Sequence, residues 1–108
     1  MSELLFNPLD FIQPSDEKMN KSNLYESPNW FVDVYTLQPG QSQKPHTHGD
    51  NDKLYYGLTG ECKVQLGEET LPLAPGQLAI APAGVVHGIL NDTSQNASVM
   101  VVMAPNPS

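Results

Sequence analysis

Ten prolines and eight glycines are spread along the whole of this 108-residue chain. Residues of these two types interrupt helices and punctuate strands, so the distribution predicts many short strands joined by turns and argues against long helices. Alternation of β-branched and aromatic residues fills the intervals. WFVDVYTL (30–37) reads as a strand ended by the turn Pro39-Gly40, and KLYYGL (53–58) leads through Thr59-Gly60 into ECKVQL (61–66). Gly67-Glu68 is a hairpin signal into EETLPL, Pro75-Gly76 turns the chain into QLAIA, and VVHGIL (85–90) and SVMVVM (98–103) complete the set. Seven or eight short strands at this spacing predict an all-β sandwich or jelly-roll barrel. No amphipathic helix separates them, as a parallel α/β sheet would require. Residues 1–29 carry Pro8, Pro14 and Pro28 and are expected to be irregular. Within them 4–12 reads as a short edge strand or a loop clasping the barrel, and the polar stretch 14–24 as holding one helical turn. The expected organisation is an N-terminal arm (1–29), packing on the barrel or on a dimer partner, and a barrel over 30–104.

Apolar residues make up 39% of the chain and charged residues 16%, enough for one core and unlike a disordered or coiled-coil sequence. Five basic against twelve acidic residues give a net charge of −7. No cationic stripe exists to neutralise phosphates, so neither nucleic acid nor an anionic membrane is an expected partner. The single cysteine, Cys62, excludes an intrachain disulfide and is expected to be a buried packing residue. The N-terminus shows no basic start followed by an apolar run, and no stretch approaches a membrane span, so a cytoplasmic location is expected.

The chain has three histidines. Two form the pair His46-Thr47-His48, and the third, His87, follows about forty residues later. Side chains two apart on a strand share a face, so a His-x-His pair aims two imidazoles at one point, and a third from a neighbouring strand completes a set of neutral nitrogen donors. Such a set suits Fe, Mn, Ni, Cu or Zn.

The spacing around these histidines is that of two known motifs. Gly40, His46, His48 and Gly60 fall on the fixed positions of G-x5-H-x-H-x4-E-x6-G, and Gly76, Pro82, Gly84, His87 and Asn91 fill every fixed position of G-x5-P-x-G-x-x-H-x3-N. The chain thus resembles a small single-domain cupin over residues 40–91, with the flanking strands fitting the same double-stranded β-helix, or jelly-roll, barrel. The resemblance implies a metal site at His46, His48 and His87, a divalent transition metal as cofactor, a small organic molecule as ligand, and a homodimer. The motif glycines read as turn positions that favour positive φ. Pro82 presets the turn before His87, and Asn91 braces a strand end through side-chain bonds to backbone.

One position departs from the motif. Where the glutamate ligand would stand, this chain has Lys53. Two unit charges about 4 Å apart interact by about 4 kcal/mol at an effective dielectric near 20, so an ammonium beside a divalent cation is disfavoured. Three arrangements are open. Three histidines and waters hold the metal; or Asp50 or Asp52 of the GDND turn supplies the oxygen, although Asp52 is out of register by one residue; or no metal binds and Lys53 with the histidines takes an anionic ligand.

If Lys53 faces inward, parity places Tyr55 and Gly57 with it, while Leu54, Tyr56 and Leu58 face outward. Lys53 is then a candidate substrate-pairing or catalytic base residue, Tyr55 a candidate substrate contact, and Gly57 a position that leaves room for a ligand. Trp30 and Tyr35 are expected in the core or at the cavity. Two functions follow from the resemblance: an enzyme of oxygenase or isomerase type at a three-histidine metal, or a non-catalytic cupin that binds or senses a small anionic molecule.

Overall fold

A computed structural model describes residues 3–47 and 49–107. Nine strands are found among them: β1 (Asn20–Ser27), β2 (Trp30–Leu37), β3 (Ser42–His46), β4 (Asp52–Thr59), β5 (Cys62–Leu66), β6 (Glu69–Leu73), β7 (Leu78–Ala81), β8 (His87–Leu90) and β9 (Ala97–Ala104). They form a five-stranded sheet in the order β1-β2-β9-β4-β7 and a four-stranded sheet in the order β3-β8-β5-β6. Every pairing is antiparallel. The core lies between the sheets: Tyr35, Leu37, Tyr55, Val99 and Val101 of the first meet Cys62, Val64, Leu73 and Ile89 of the second. No helix among the described residues is long and apolar enough to cross a membrane.

Alternation governs which side chains reach that core. On β4, Lys53, Tyr55 and Gly57 are buried, whereas Leu54 and Leu58 are half-buried and Tyr56 exposed, as the parity reading expected. β2 breaks the alternation, with Val34, Tyr35, Thr36 and Leu37 all buried. Its outer face is covered by the N-terminal segment, which is tied down where the Gln13 N–H donates to Thr36 Oγ1 at 3.1 Å and Gln41 Nε2 donates to the Ser15 carbonyl at 2.7 Å.

Residues 3–29 depart from expectation. The stretch 14–24 holds no helical turn. Instead β1 forms over Asn20–Ser27 and pairs with β2 from Asn20↔Thr36 to Ser27↔Trp30. The helical turn lies earlier, as a 3-10 turn at Pro8–Phe11 capped by the Asn7 side chain. Trp30 starts a strand but is 44% exposed, so it is not a core residue; it lines an outer groove with Leu4, Phe6 and Tyr25.

The turn positions behave as their residue types dictate. Gly40, Gly60, Gly76 and Gly84 all have φ between +66° and +85°, a region that side-chain-bearing residues adopt at a cost. Asn91 is fully buried. Its Nδ2 donates to the carbonyls of Leu37 and Gln95 at 3.0 and 2.8 Å, and its Oδ1 accepts from the Thr93 N–H, so one side chain closes the loop between β8 and β9 and pins it to the end of β2.

Gly57 corrects an expectation. A Cβ there would run into the Ala74 carbonyl oxygen and lie 3.2 Å from the Pro75 Cα, so the space beside Gly57 is filled by backbone and is not open to a ligand. The Gly57 N–H donates to the Gln77 carbonyl and its own carbonyl accepts from the Gly76 N–H, both at 2.9 Å, clamping the 74–77 turn onto β4.

Candidate functional site

The turn at Pro82–Gly84 delivers His87 into the barrel. It is closed by the Val85 N–H donating to the Pro82 carbonyl at 3.0 Å and braced by the Ala83 N–H donating to Asp52 Oδ1 at 2.8 Å. Asp52, one candidate for the missing oxygen donor, is exposed and engaged in this turn, and Asp50 is exposed as well. His87 enters β8 directly opposite His46 of β3. The two rings are 4.5 Å apart at centroids and inclined by 60°.

Both rings are oriented by backbone. His46 Nδ1 lies 2.9 Å from the Lys44 carbonyl and His87 Nδ1 3.0 Å from the Val85 carbonyl. A carbonyl only accepts, so each Nδ1 carries the hydrogen, and in the neutral ring Nε2 then carries the lone pair. Histidines that ligate a metal through Nε2 are held in this way by the other ring nitrogen. His48, the third expected ligand, lies outside the described residues. β3 ends at His46, and its register slips between Gln43 and His46. Strand alternation therefore does not by itself relate positions 46 and 48. No cluster of three or more His, Cys, Asp and Glu suited to a metal is found among the described residues. The donor chemistry of His46 and His87 fits a divalent transition metal, with His48 required as the third donor.

Lys53 also occupies the barrel interior. Its residue is 2% exposed, its Nζ donates to Gln43 Oε1 at 3.2 Å, and it stands 5.2 Å from the ring centroids of both Tyr35 and Tyr55. No carboxylate among the described residues lies within ion-pair distance of it; the ion pair that is found, Lys63–Asp92, is on the surface. Burial holds the Lys53 ammonium down from 10.5 to about 8; nearby Lys21 adds to the effect and Asp33 opposes it. Tyr55 is buried, its hydroxyl has no hydrogen-bond partner among the described residues, and its ring meets that of His87 edge-on at 6.4 Å. Burial raises the pKa of both Tyr35 and Tyr55, so each phenol stays protonated through the neutral range.

Of the expected residues, Lys53, Tyr55 and His87 are buried in the barrel, and His46 is half-buried opposite His87. Three neighbours went unread in the sequence. Gln43 comes from β3 beyond a register slip that defeats parity. Lys21, whose Nζ stands 5.3 Å from the Tyr35 centroid, comes from the unanticipated β1. Asp33, the third, is half-buried, accepts from Asn23 Nδ2 at 2.8 Å, and has its pKa raised from the ordinary value by burial. Cys62 is 1% exposed and its thiol is pushed up to about 11 by burial, as befits a packing residue.

Against this geometry, residues 33–103 match the model of the cupin domain. The chain is a cupin. A crystal structure of TT1209 from Thermus thermophilus is similar at 43% identity and a TM-score of 0.92, with 95% of this chain and 98% of that one covered. A Klebsiella pneumoniae protein with a double-stranded β-helix domain is similar at 27% identity and a TM-score of 0.86, over 94% of this cupin and 90% of that chain. An uncharacterised protein of Streptomyces coelicolor is 35% identical over 82 residues, 74% of each chain. The all-β jelly-roll architecture expected from the strand spacing and the cupin resemblance is therefore both observed and shared.

Proposed function

We propose that this cupin binds a divalent transition metal through His46, His48 and His87 and uses that site to bind and transform a small organic molecule. The observation that carries the reading is the cross-strand pair His46–His87, with both Nδ1 atoms turned to backbone carbonyls. A metal held there would supply Lewis acidity and open coordination positions. The chain's own residues supply the rest. Val85 and Lys44 fix the imidazoles through their carbonyls, Tyr55 closes one side of His87, and Lys53 places an amine in the interior where the cupin motif has a carboxylate. With three neutral donors and no glutamate, the site keeps the cation's charge undiminished, which favours ligands that bring their own negative oxygen.

The test is elemental analysis of protein purified without an affinity tag or chelator. About one equivalent of Fe, Mn, Ni, Cu or Zn per chain is expected, falling at least tenfold in His87→Ala and in His48→Ala. Absence of metal after purification and after titration with each of the five would refute the reading.

A further inference from the structure

The barrel interior contains two buried hydrogen-bond donors whose acceptors the described residues do not fully supply. Lys53 Nζ has three hydrogens and is given one acceptor, the neutral amide oxygen of Gln43. The Tyr55 hydroxyl is buried with no partner among the described residues. Both side chains leave the same face of β4, two residues apart, and Lys53 lies against the Tyr55 ring. Leaving such groups unsatisfied in an interior is costly, and the cost is removed when an acceptor with negative charge enters.

The surroundings favour the same partner. The protein carries a net charge of −7 and only five basic residues, all lysines. Lys18 and Lys21 nevertheless line one cavity of about 480 Å3 together with Ser15, Asn20, Ser42 and Gln43. Gln43 is the amide that meets Lys53, and Lys21 and Lys53 both stand over the Tyr35 ring. Gln43 thus joins the cavity that Lys18 and Lys21 line to the buried Lys53. Asp33, the carboxylate that both lysines feel, is engaged by Asn23 and forms no ion pair with either.

We infer that this interior receives the carboxylate group of a small organic acid, with Lys53 Nζ and the Tyr55 hydroxyl donating to its two oxygens and Lys18 and Lys21 guiding its approach. The inference deepens the proposed function by naming the ligand class, and it rests on that reading only for the ligand's place inside the barrel. A carboxylate matches one ammonium and one phenol. A phosphate calls for more donors, commonly a guanidinium fork or a nest of backbone N–H groups, and this chain has no arginine.

Calorimetric titration of the purified protein with malonate, succinate and inorganic phosphate at pH 7 tests it, with metal content measured on the same samples. At least one of the two dicarboxylates is expected to bind more tightly than phosphate, to weaken about tenfold or more in Lys53→Met, and to weaken several-fold in Tyr55→Phe. Tyr55→Phe removes one oxygen and keeps the ring, so it decides the matter if Lys53→Met does not fold. Failure of both dicarboxylates to bind, tighter binding of phosphate, or unchanged binding in the variants would overturn the inference. A preparation without metal that still binds dicarboxylate through Lys53 would sustain it while removing the metal reading. Binding lost in His87→Ala but retained in both β4 variants would place the ligand on the metal and overturn the inference alone.

Discussion

Replacing Lys53 by methionine is expected to stabilise the ligand-free protein by about 2 kcal/mol at pH 7, with the gain disappearing at high pH. At about 1.4 kcal/mol for each tenfold change in proton affinity, a fall in the pKa of the ammonium from 10.5 to about 8 corresponds to about 3 kcal/mol. Methionine has similar length and needs no solvation. The variant also leaves Gln43 without its donor and removes an ammonium that faces two tyrosine rings, which offsets about 1 kcal/mol of the gain. The sign follows from proton counting. Between about pH 8 and 10.5 the unfolded chain keeps a proton on Lys53 that the folded chain has released, so wild-type stability gains from this residue as pH rises through that window. Below pH 8 the cost of burying the charge is present in full. The shifts at Cys62, Tyr35 and Tyr55 come from burial and from groups other than Lys53, so the difference between the two proteins is expected to isolate Lys53. Urea unfolding at pH 7, 8, 9 and 10 in a buffer free of carboxylates would measure it. A difference that stays flat across that range, or a variant less stable at pH 7, would show that Lys53 is not buried as a charge. A side chain that costs the fold stability at neutral pH, in the interior of a barrel, is placed where a bound anion would offset it.

The same residue shows what was legible in the sequence. Lys53 and Tyr55 could be placed inside together because β4 alternates without interruption, and parity needs nothing beyond the strand itself. The turns were equally plain, since Gly40, Gly60, Gly76 and Gly84 mark positive φ and Asn91 had one structural use. β1 was not legible. NKSNLYES is polar, because an edge strand of this sheet has little apolar surface to hide, and only its pairing with β2 makes it a strand. With β1 unread, Lys21 had no place near Tyr35. β3 reads SQKPH and contains Pro45, which weakens any strand expectation. Its slipped register put Gln43 beside Lys53 although neither spacing nor parity relates the two. The site was thus readable where a single strand decides it, and unreadable where it depends on contacts between strands.

Gly57→Ala is expected to destabilise the protein by about 3 kcal/mol or more, because one methyl group must displace backbone. The new Cβ would meet the Ala74 carbonyl carbon at 2.9 Å and the Pro75 Cα at 3.2 Å, with the Ala74 oxygen nearer still. Flexible side chains can yield to such an intrusion at small cost, but a main-chain carbonyl in a closed turn cannot, and overpacking of this kind sits at the upper end of its usual range. The clamp opposes relaxation. Moving the turn away from β4 stretches both the Gly57 N–H bond to the Gln77 carbonyl and the Gly76 N–H bond to the Gly57 carbonyl. The turn also runs straight into β7, whose pairing with β4 begins at Tyr56↔Leu78, so a displaced turn loosens that edge and with it the register that leads to Lys53↔Ala81. For a domain of this size the loss should lower the melting temperature by about 12 °C or more. Gly49→Ala is the control, since nothing lies within 4 Å of the Cβ it would add, and it should stay within about 0.5 kcal/mol of the wild type. Equal stability of the two variants would mean that the 74–77 turn gives way freely, and the space beside Gly57 would then be open to a ligand after all.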